Sequence, residues 1–450
     1  MNAYEAAATF LSNFSYCQLS EEARQAVKRI VLDSFGCMVA GSRLLPDAGV
    51  FETQEGLYTT VGIGRSPHRD MAIALNGSAM VATELDEGHA AAKGHPAAHF
   101  FPALLAEAEE KQCDGRAFMA AFAAVYEIVA RFGSAVTLRP AVHPHGNWGT
   151  IGSAAAVAKL NQLSGVKMVQ ALLLGASLPV GSAWTAALRG ATVRNGYIGA
   201  SNVLGSLAAR MAQAGMESHP QVVASIYESM LGSALDIKRM DGEYSGKWLL
   251  ESNYMKMYAC CRFVHGAVDC MLAIRERFEH RVGRPLELEE IRHIQVETYK
   301  SASVLRDARP PNGLAAKFSI PFSLAILLGL GKVEQEQFAD GHTQDARLRM
   351  TADRVAVEEA EEFTRLLPHT RATRVTLTTV DGKQWREEVH VVTGDPGKPL
   401  TDQQLIEKFL ALAAPVLGAK RAERTVYHVQ HLEELQDIRE MTALLFPVSV

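Results

Sequence analysis

The sequence predicts a mainly α-helical protein with a smaller α+β part, and three observations predict it. Up to about residue 231 apolar residues recur at helical spacing in one run after another, many of them alanine-rich. After about residue 270 the pattern alternates, and Asp381-Gly382 sits between two β-rich runs, a strong hairpin signal. Helical periodicity then returns from Thr401, with Leu405, Phe409, Leu410 and Leu412 on one side.

The elements follow in order. Ser20 has the form of an N-cap, with Glu21 and Glu22 in the first turn and Ala26, Ile30, Val31 and Phe35 at helical spacing. Gly41 is the expected stop. Ser66-Pro67 reads as a cap and helix start leading into 71–83. Further helices are expected over 97–111, 115–133, 149–162, 166–177, 199–214 and 220–231, with small buried residues that imply close helix packing. Residues 291–299 alternate like a strand, 374–378 and 385–392 form the hairpin, and helices are expected at 318–330 and 343–350. Gly394-Asp395-Pro396-Gly397 closes this part. The expected organisation is therefore a helical main domain of residues 1–269 and 401–450, interrupted by an α+β domain of 270–400.

Composition narrows the function classes. A 450-residue chain with 48% hydrophobic and 21% charged residues has the balance of a globular protein with substantial cores. A net charge of −5 with interspersed signs gives no footprint for nucleic acid or an anionic membrane. No uninterrupted apolar segment reaches the roughly 20 residues of a membrane span, and Met1 to Phe10 lacks the form of a signal peptide. Six scattered cysteines without CxxC spacing read as thiols in a cytoplasmic protein.

The candidate chemistry centres on Glu84-Leu85-Asp86-Glu87-Gly88-His89 and Gly94-His95-Pro96-Ala97-Ala98-His99. Carboxylates and imidazoles exchange protons near neutral pH, and the glycines and proline place them on a loop between helices. A solvated helix connection is the competing reading of this stretch. Four further clusters stand out. His143-Pro144-His145-Gly146-Asn147-Trp148-Gly149-Thr150 leads into an alanine-rich helix, where the free N–H groups favour an anion, although a capped Gly-rich turn fits as well. Arg194 precedes a helix and is of a type that holds carboxylates in a bidentate pair, although a surface arginine is the ordinary explanation. The stretch from Lys256 through Arg262 to His265 puts cations and a histidine near the domain boundary. Ala315 to Pro321 has the form of a helix start.

In this order the clusters resemble the MmgE/PrpD family of 2-methylcitrate dehydratase-like lyases. The acid-rich loop of that family is similar to Glu84 through Gly88 with His95-Pro96, and its H-P-x-x-x-x-G-T-x-G-[AS]-A to His143-Pro144 through Ala154. The remaining motifs are similar to Lys256 through His265, to Ala316 through Phe322, and to Gly394-Asp395-Pro396 with Pro399-Leu400-Thr401. The closing Leu432 to Leu435 and Arg439 to Leu444 are also similar, so the resemblance covers nearly the whole chain.

The resemblance implies a helical main domain with an α+β lid, a homodimer, and an active site in the cleft between the domains. It implies a small di- or tricarboxylate substrate, handled with neither a metal nor an organic cofactor. The reactions it suggests are dehydration, decarboxylation or epimerisation at a carbon next to a carboxylate. By analogy Asp86, His95, His143 and His265 form the proton-handling set, with base and acid unassigned. Glu84, Arg194, Lys256 and Arg262 become the substrate-binding set. The basic groups would orient carboxylates and stabilise the charge of an enediolate.

Departures from the family pattern matter here. Glu84 replaces an aspartate, Glu87-Gly88 replaces an Asp-Thr pair, Arg194 replaces a lysine, and Met257 and Ala259 replace prolines. A longer acid and a planar guanidinium reshape a carboxylate pocket and point away from 2-methylcitrate itself. An epimerase would use the same residues. A metal-dependent hydrolase using Glu84, Asp86, His89, His95 and His99 ranks lower because their spacing matches no tight zinc or iron motif. A non-catalytic member is the remaining class.

Overall fold

The computed structural model describes residues 2–45, 56–241, 244 and 246–447. The chain forms two compact units. The first comprises Met1–Trp184, Val193–Met255 and Leu400–Val450; the second comprises Thr185–Thr192 and Lys256–Pro399. The changeover therefore falls after Met255, not at 270, which puts Lys256, Arg262 and His265 in the second unit. The short excursion Thr185–Thr192 had no sequence signal.

The first unit is built from helices whose ends are set by local chemistry. Ser20 accepts the Ala23 N–H at 3.1 Å and starts Glu21–Ser42, which buries Ala23, Val27, Ile30, Val31 and Phe35. Ser66 behaves differently from the sequence expectation. It ends a short strand, Gly64–Ser66, that pairs with Tyr58–Thr60, and its hydroxyl accepts the His68 N–H at 3.0 Å. His68 is the N-cap, so the next helix is Arg69–Met80.

Asp114 caps Gly115–Ala135, whose most apolar stretch is 83% buried inside the protein. By length and composition alone this helix passes as a membrane span; its burial is that of a core helix. The segment 220–231 begins as helix Pro220–Ala224 and widens into a π-turn over Ser225–Met230.

Small residues do bring helices close. A Cβ on Gly77 would lie 2.9 Å from the Gly199 Cα, and one on Gly205 2.3 Å from the Thr150 carbonyl oxygen. Thus Arg69–Met80, Thr150–Leu160 and Val193–Gln213 approach nearly backbone to backbone. The C-terminal chain closes this unit. Thr401 and Gln404 form a reciprocal cap on Asp402–Leu417, which buries Leu405, Phe409, Ala413 and Leu417. Phe409 packs over Gly36, where an added Cβ would come within 3.2 Å of its ring.

The second unit holds a four-stranded sheet in the spatial order Val355–Glu359, Ile291–Thr298, Thr373–Thr379, Gln384–Val389. The first pair is parallel and the others antiparallel. The hairpin turns at Asp381-Gly382, with Gly382 at φ +84°. Ile294, Val296, Val375 and Leu377 are buried, and helix His265–Val282 packs with its Phe278 ring 5.2 Å from that of Trp385. Strand Val355–Glu359 was not legible in the sequence because it is short and ends in two exposed glutamates, as an edge strand does.

Candidate active site

The acid-rich stretch is a loop, as glycine and proline dictate, but it is not solvated. Glu84 is 1% exposed, and Asp86, Glu87 and His99 are fully buried. A buried charged loop must be held by specific partners, and four sets of contacts do so here. Gly88 exchanges two backbone hydrogen bonds with Tyr254, at 3.0 and 2.8 Å, and His89 N–H donates to the Gly94 carbonyl at 2.9 Å. The Glu87 carboxyl accepts from the Ala97 N–H and pairs with the Tyr126 hydroxyl, both at 2.8 Å. Lys408, from the C-terminal helix Asp402–Leu417, reaches the Leu85 carbonyl at 2.8 Å and the Asp33 carboxylate at 2.5 Å. Glu84 itself sits at φ +59°, a conformation costly for a residue with a Cβ, and its carboxylate is ion-paired with Arg194.

Arg194 lies in the first turn of Val193–Gln213, earlier than the expected helix start, and is 1% exposed. Its guanidinium also donates to the Val81 carbonyl at 2.8 Å and faces His145 Nε2 at 3.4 Å. It is thus a buried cation matched to Glu84, not a surface arginine.

His95 Nδ1 lies 2.6 Å from the Glu87 carbonyl oxygen and 2.9 Å from the Asp86 carboxylate. Both neighbours are acceptors, so the proton is on Nδ1 and Nε2 is the basic nitrogen of the neutral ring. Among the described residues Nε2 takes no hydrogen bond. A carbonyl that fixes the tautomer of an imidazole, with a carboxylate close enough to stabilise its charged form, is an arrangement that suits a general base.

Three more imidazoles surround this dyad. His145 stands edge-on to His95, His143 and His99, with ring centroids 5.2, 4.6 and 6.2 Å away. His143 Nδ1 accepts the His145 backbone N–H at 3.1 Å, so its ring proton is on Nε2. The expected turn cap is therefore present, but the rings also belong to the cluster. Burial, then the Arg194 charge, holds His143 and His145 far below the usual imidazole range. Burial lowers His99 to about 3. All three are neutral at physiological pH. Burial raises Glu87 to about 8, against the lowering effect of its two hydrogen bonds, so this carboxyl is protonated at neutral pH.

The structure thus brings together Glu84, Asp86, His95, His143 and Arg194 in the first unit. The other three sequence-derived residues form a group of their own in the second unit. Arg262 ion-pairs with Asp395 and donates to His265 Nδ1 at 3.0 Å and to the Thr393 carbonyl at 3.2 Å. His265 Nε2 in turn reaches the Cys260 carbonyl at 3.2 Å, so both of its ring nitrogens have protein partners. Lys256 is fully buried. The stretch 256–265 and Gly394-Asp395-Pro396 therefore meet through one buried arginine. Ala315 to Pro321 proves to be a helix start: Ser319 caps Ile320–Leu330.

Sequence reasoning did not single out Asp33, Lys408 or the pairing of Glu87 with Tyr126. Their signal was a charged or polar residue within or beside an apolar helical stripe, Asp33 among Val31, Leu32 and Phe35, and Lys408 beside Phe409. Among the described residues, no group of three or more His, Cys, Asp or Glu side chains converges as metal coordination requires.

Comparison with known sequences identifies the family. The profile of the MmgE/PrpD N-terminal domain matches residues 5–231, and that of the MmgE/PrpD C-terminal domain matches 258–434. The chain belongs to the MmgE/PrpD family. The N-terminal MmgE/PrpD match contains Glu84, Asp86, His95, His143 and Arg194; the C-terminal match contains Arg262 and His265. Relatives match nearly the full length of the chain. A cis-aconitate decarboxylase of Aspergillus terreus is 24% identical over 465 residues, covering 96% of this chain and 94% of its own. The human cis-aconitate decarboxylase is 24% identical over 467 residues, covering 98% and 94%. The cis-aconitate decarboxylase-like protein oryM of Aspergillus oryzae is 25% identical over 453 residues, covering 94% and 92%.

Proposed function

We propose that this protein is a lyase that acts on a small di- or tricarboxylic acid by moving a proton at a carbon next to a carboxylate. The observation that carries the reading is the His95 geometry: Nδ1–H is held by the Glu87 carbonyl, the Asp86 carboxylate stands 2.9 Å from Nδ1, and Nε2 is the nitrogen left to exchange a proton. Asp86 stabilises the imidazolium that forms when Nε2 takes a proton and is relieved when it gives one up, so the dyad serves either direction of transfer. The neutral rings of His143 and His145 add hydrogen-bonding groups without adding charge.

Two bond-breaking outcomes are compatible with this machinery. In decarboxylation the bond to a carboxyl carbon breaks, carbon dioxide leaves, and the electron pair shifts across an adjacent double bond whose far carbon takes a proton. In dehydration the C–H beside a carboxylate loses its proton and hydroxide leaves from the next carbon with a proton from an acid. The names of the relatives support decarboxylation of an unsaturated tricarboxylate as the reaction to test first.

The test incubates purified, chelator-treated protein separately with cis-aconitate, citrate and 2-methylcitrate and follows carbon dioxide release and products. Carbon dioxide from cis-aconitate, with one solvent proton gained per turnover, is the expected result. An alkene with loss of water would instead assign dehydration within the same proposal. No turnover of any of these acids, nor of the dicarboxylates malate and aspartate, overturns it.

A further inference from the structure

His99 and His145 are fully buried, yet they carry ring nitrogens that accept or donate to nothing among the described residues: both nitrogens of His99, and Nδ1 of His145. His145 Nε2 faces an Arg194 N–H at 3.4 Å and can only accept there, so the His145 proton is on Nδ1. Neutral His99 has one N–H. Two buried donors therefore lack an acceptor, and a buried unmade hydrogen bond costs about 1–3 kcal/mol.

Both rings are fixed in place. His99 ends the short 3-10 turn Ala97–His99, its carbonyl accepts the Ser153 hydroxyl at 2.6 Å, and its ring centroid lies 4.5 Å from that of Trp148. Gly149 is required beside it, because a Cβ there would fall 1.7 Å from His99 Nδ1. A flexible surface ring would turn to find water; these two are held with their donors unfilled. His145 adjoins the dyad, with its ring centroid 5.2 Å from that of His95, and His99 lies 6.2 Å from His145.

We propose that His99 and His145 form a binding subsite for a non-reacting carboxylate of the substrate, each donating one ring N–H to it. This rests on the carboxylate-lyase reading and names residues that set how the acid is held beside His95. Neutral donors suit this task, since they bind an anion without opposing the proton transfer to His95 electrostatically. A carboxylate, with two oxygens and several lone pairs, fills two donors from separate rings.

The test uses His99→Phe, His145→Gln and His145→Asn in the full chain, with tricarballylate as an unreactive tricarboxylate for calorimetric binding and cis-aconitate for kinetics. The Gln side chain reaches the Nε2 position and loses the Nδ1 donor; the Asn amide falls near Nδ1 and keeps it. His99→Phe and His145→Gln should weaken tricarballylate and raise KM about tenfold to a hundredfold, the range for a hydrogen bond to a charged group. His145→Asn should recover at least part of that loss. His99→Phe should also raise Tm, because it removes an unfilled buried donor. A raised Tm with unchanged tricarballylate affinity and KM overturns the subsite and leaves the two rings holding only water. If His99→Phe does not fold, the difference between the Gln and Asn variants decides alone, and equal affinities overturn the subsite. Failure is separable from that of the lyase reading: wild-type binding of tricarballylate that is lost in His145→Gln, without turnover of any acid, keeps the subsite and rejects the reaction.

Discussion

Replacing Lys408 with methionine removes one charge from behind the acid-rich loop while keeping an unbranched chain of similar length. Lys408 Nζ sits 2.5 Å from Asp33 and 2.8 Å from the Leu85 carbonyl, and the Asp33 side chain is fully buried. Breaking a buried pair by deleting one partner costs about 3–5 kcal/mol, mostly from the charge left behind. That charge would stand near Glu87, whose acidity already reflects Asp33 and Asp86. A cooperative unit of about 300 residues unfolds with an entropy near 0.6 kcal/mol/K, so Tm should fall by about 5–8 °C. The Leu85 carbonyl precedes the Asp86 amide, so kcat should fall as well.

Differential scanning calorimetry and steady-state kinetics on Lys408→Met, Asp33→Leu and the double variant measure both effects. The double variant should recover most of the lost stability, because an apolar pair of similar volume can replace a buried ion pair nearly neutrally. A single variant with unchanged Tm, or a double variant no more stable than the single ones, refutes the reasoning.

Asp86→Asn should lower kcat by about 10²–10⁴ with a small change in Tm, because the neutral amide no longer stabilises the His95 imidazolium; a kcat close to wild type in stopped assays speaks against the dyad. Glu87 has a folded pKa raised from its ordinary 4.5 to about 8, so between these values the unfolded chain binds fewer protons than the native one and stability falls as pH rises. Glu87→Gln cannot titrate, and thermal melts should show its Tm advantage growing from pH 5 to pH 8; parallel curves would contradict the assignment. Arg262→Lys keeps the charge but cannot serve Asp395, Thr393 and His265 together, and chemical denaturation should show a loss of about 1–3 kcal/mol.

The fold was legible where periodicity or turn chemistry was strong. Ser20, Asp381-Gly382 and Thr401 each mark an element boundary within about two residues. The strand pairs Tyr58–Thr60 with Gly64–Ser66 and Val136–Leu138 with Gly232–Leu235 were not, since three or four residues carry no alternation to detect. Ser66-Pro67 misplaced a helix start because a serine before a proline looks alike whether it caps a helix or leaves a strand. At the site, Asp86, His95 and Arg194 stood out as residue types in context, but their pairings did not. That Arg194 answers Glu84, and Arg262 answers Asp395, depends on residues more than a hundred positions apart. Burial was the larger gap. The sequence left a solvated loop open, and only the contacts with Tyr254, Tyr126 and Lys408 show why this loop is interior.

Proton transfer through His95 is tested most directly by proton NMR in deuterium oxide, comparing wild type with His95→Gln on cis-aconitate and citrate in the presence of a chelator. Deuterium should enter a C–H position of the product with wild type. His95→Gln should lose deuterium incorporation and turnover together while still binding tricarballylate. Incorporation at the wild-type rate in His95→Gln would contradict the assignment and move the proton to another group.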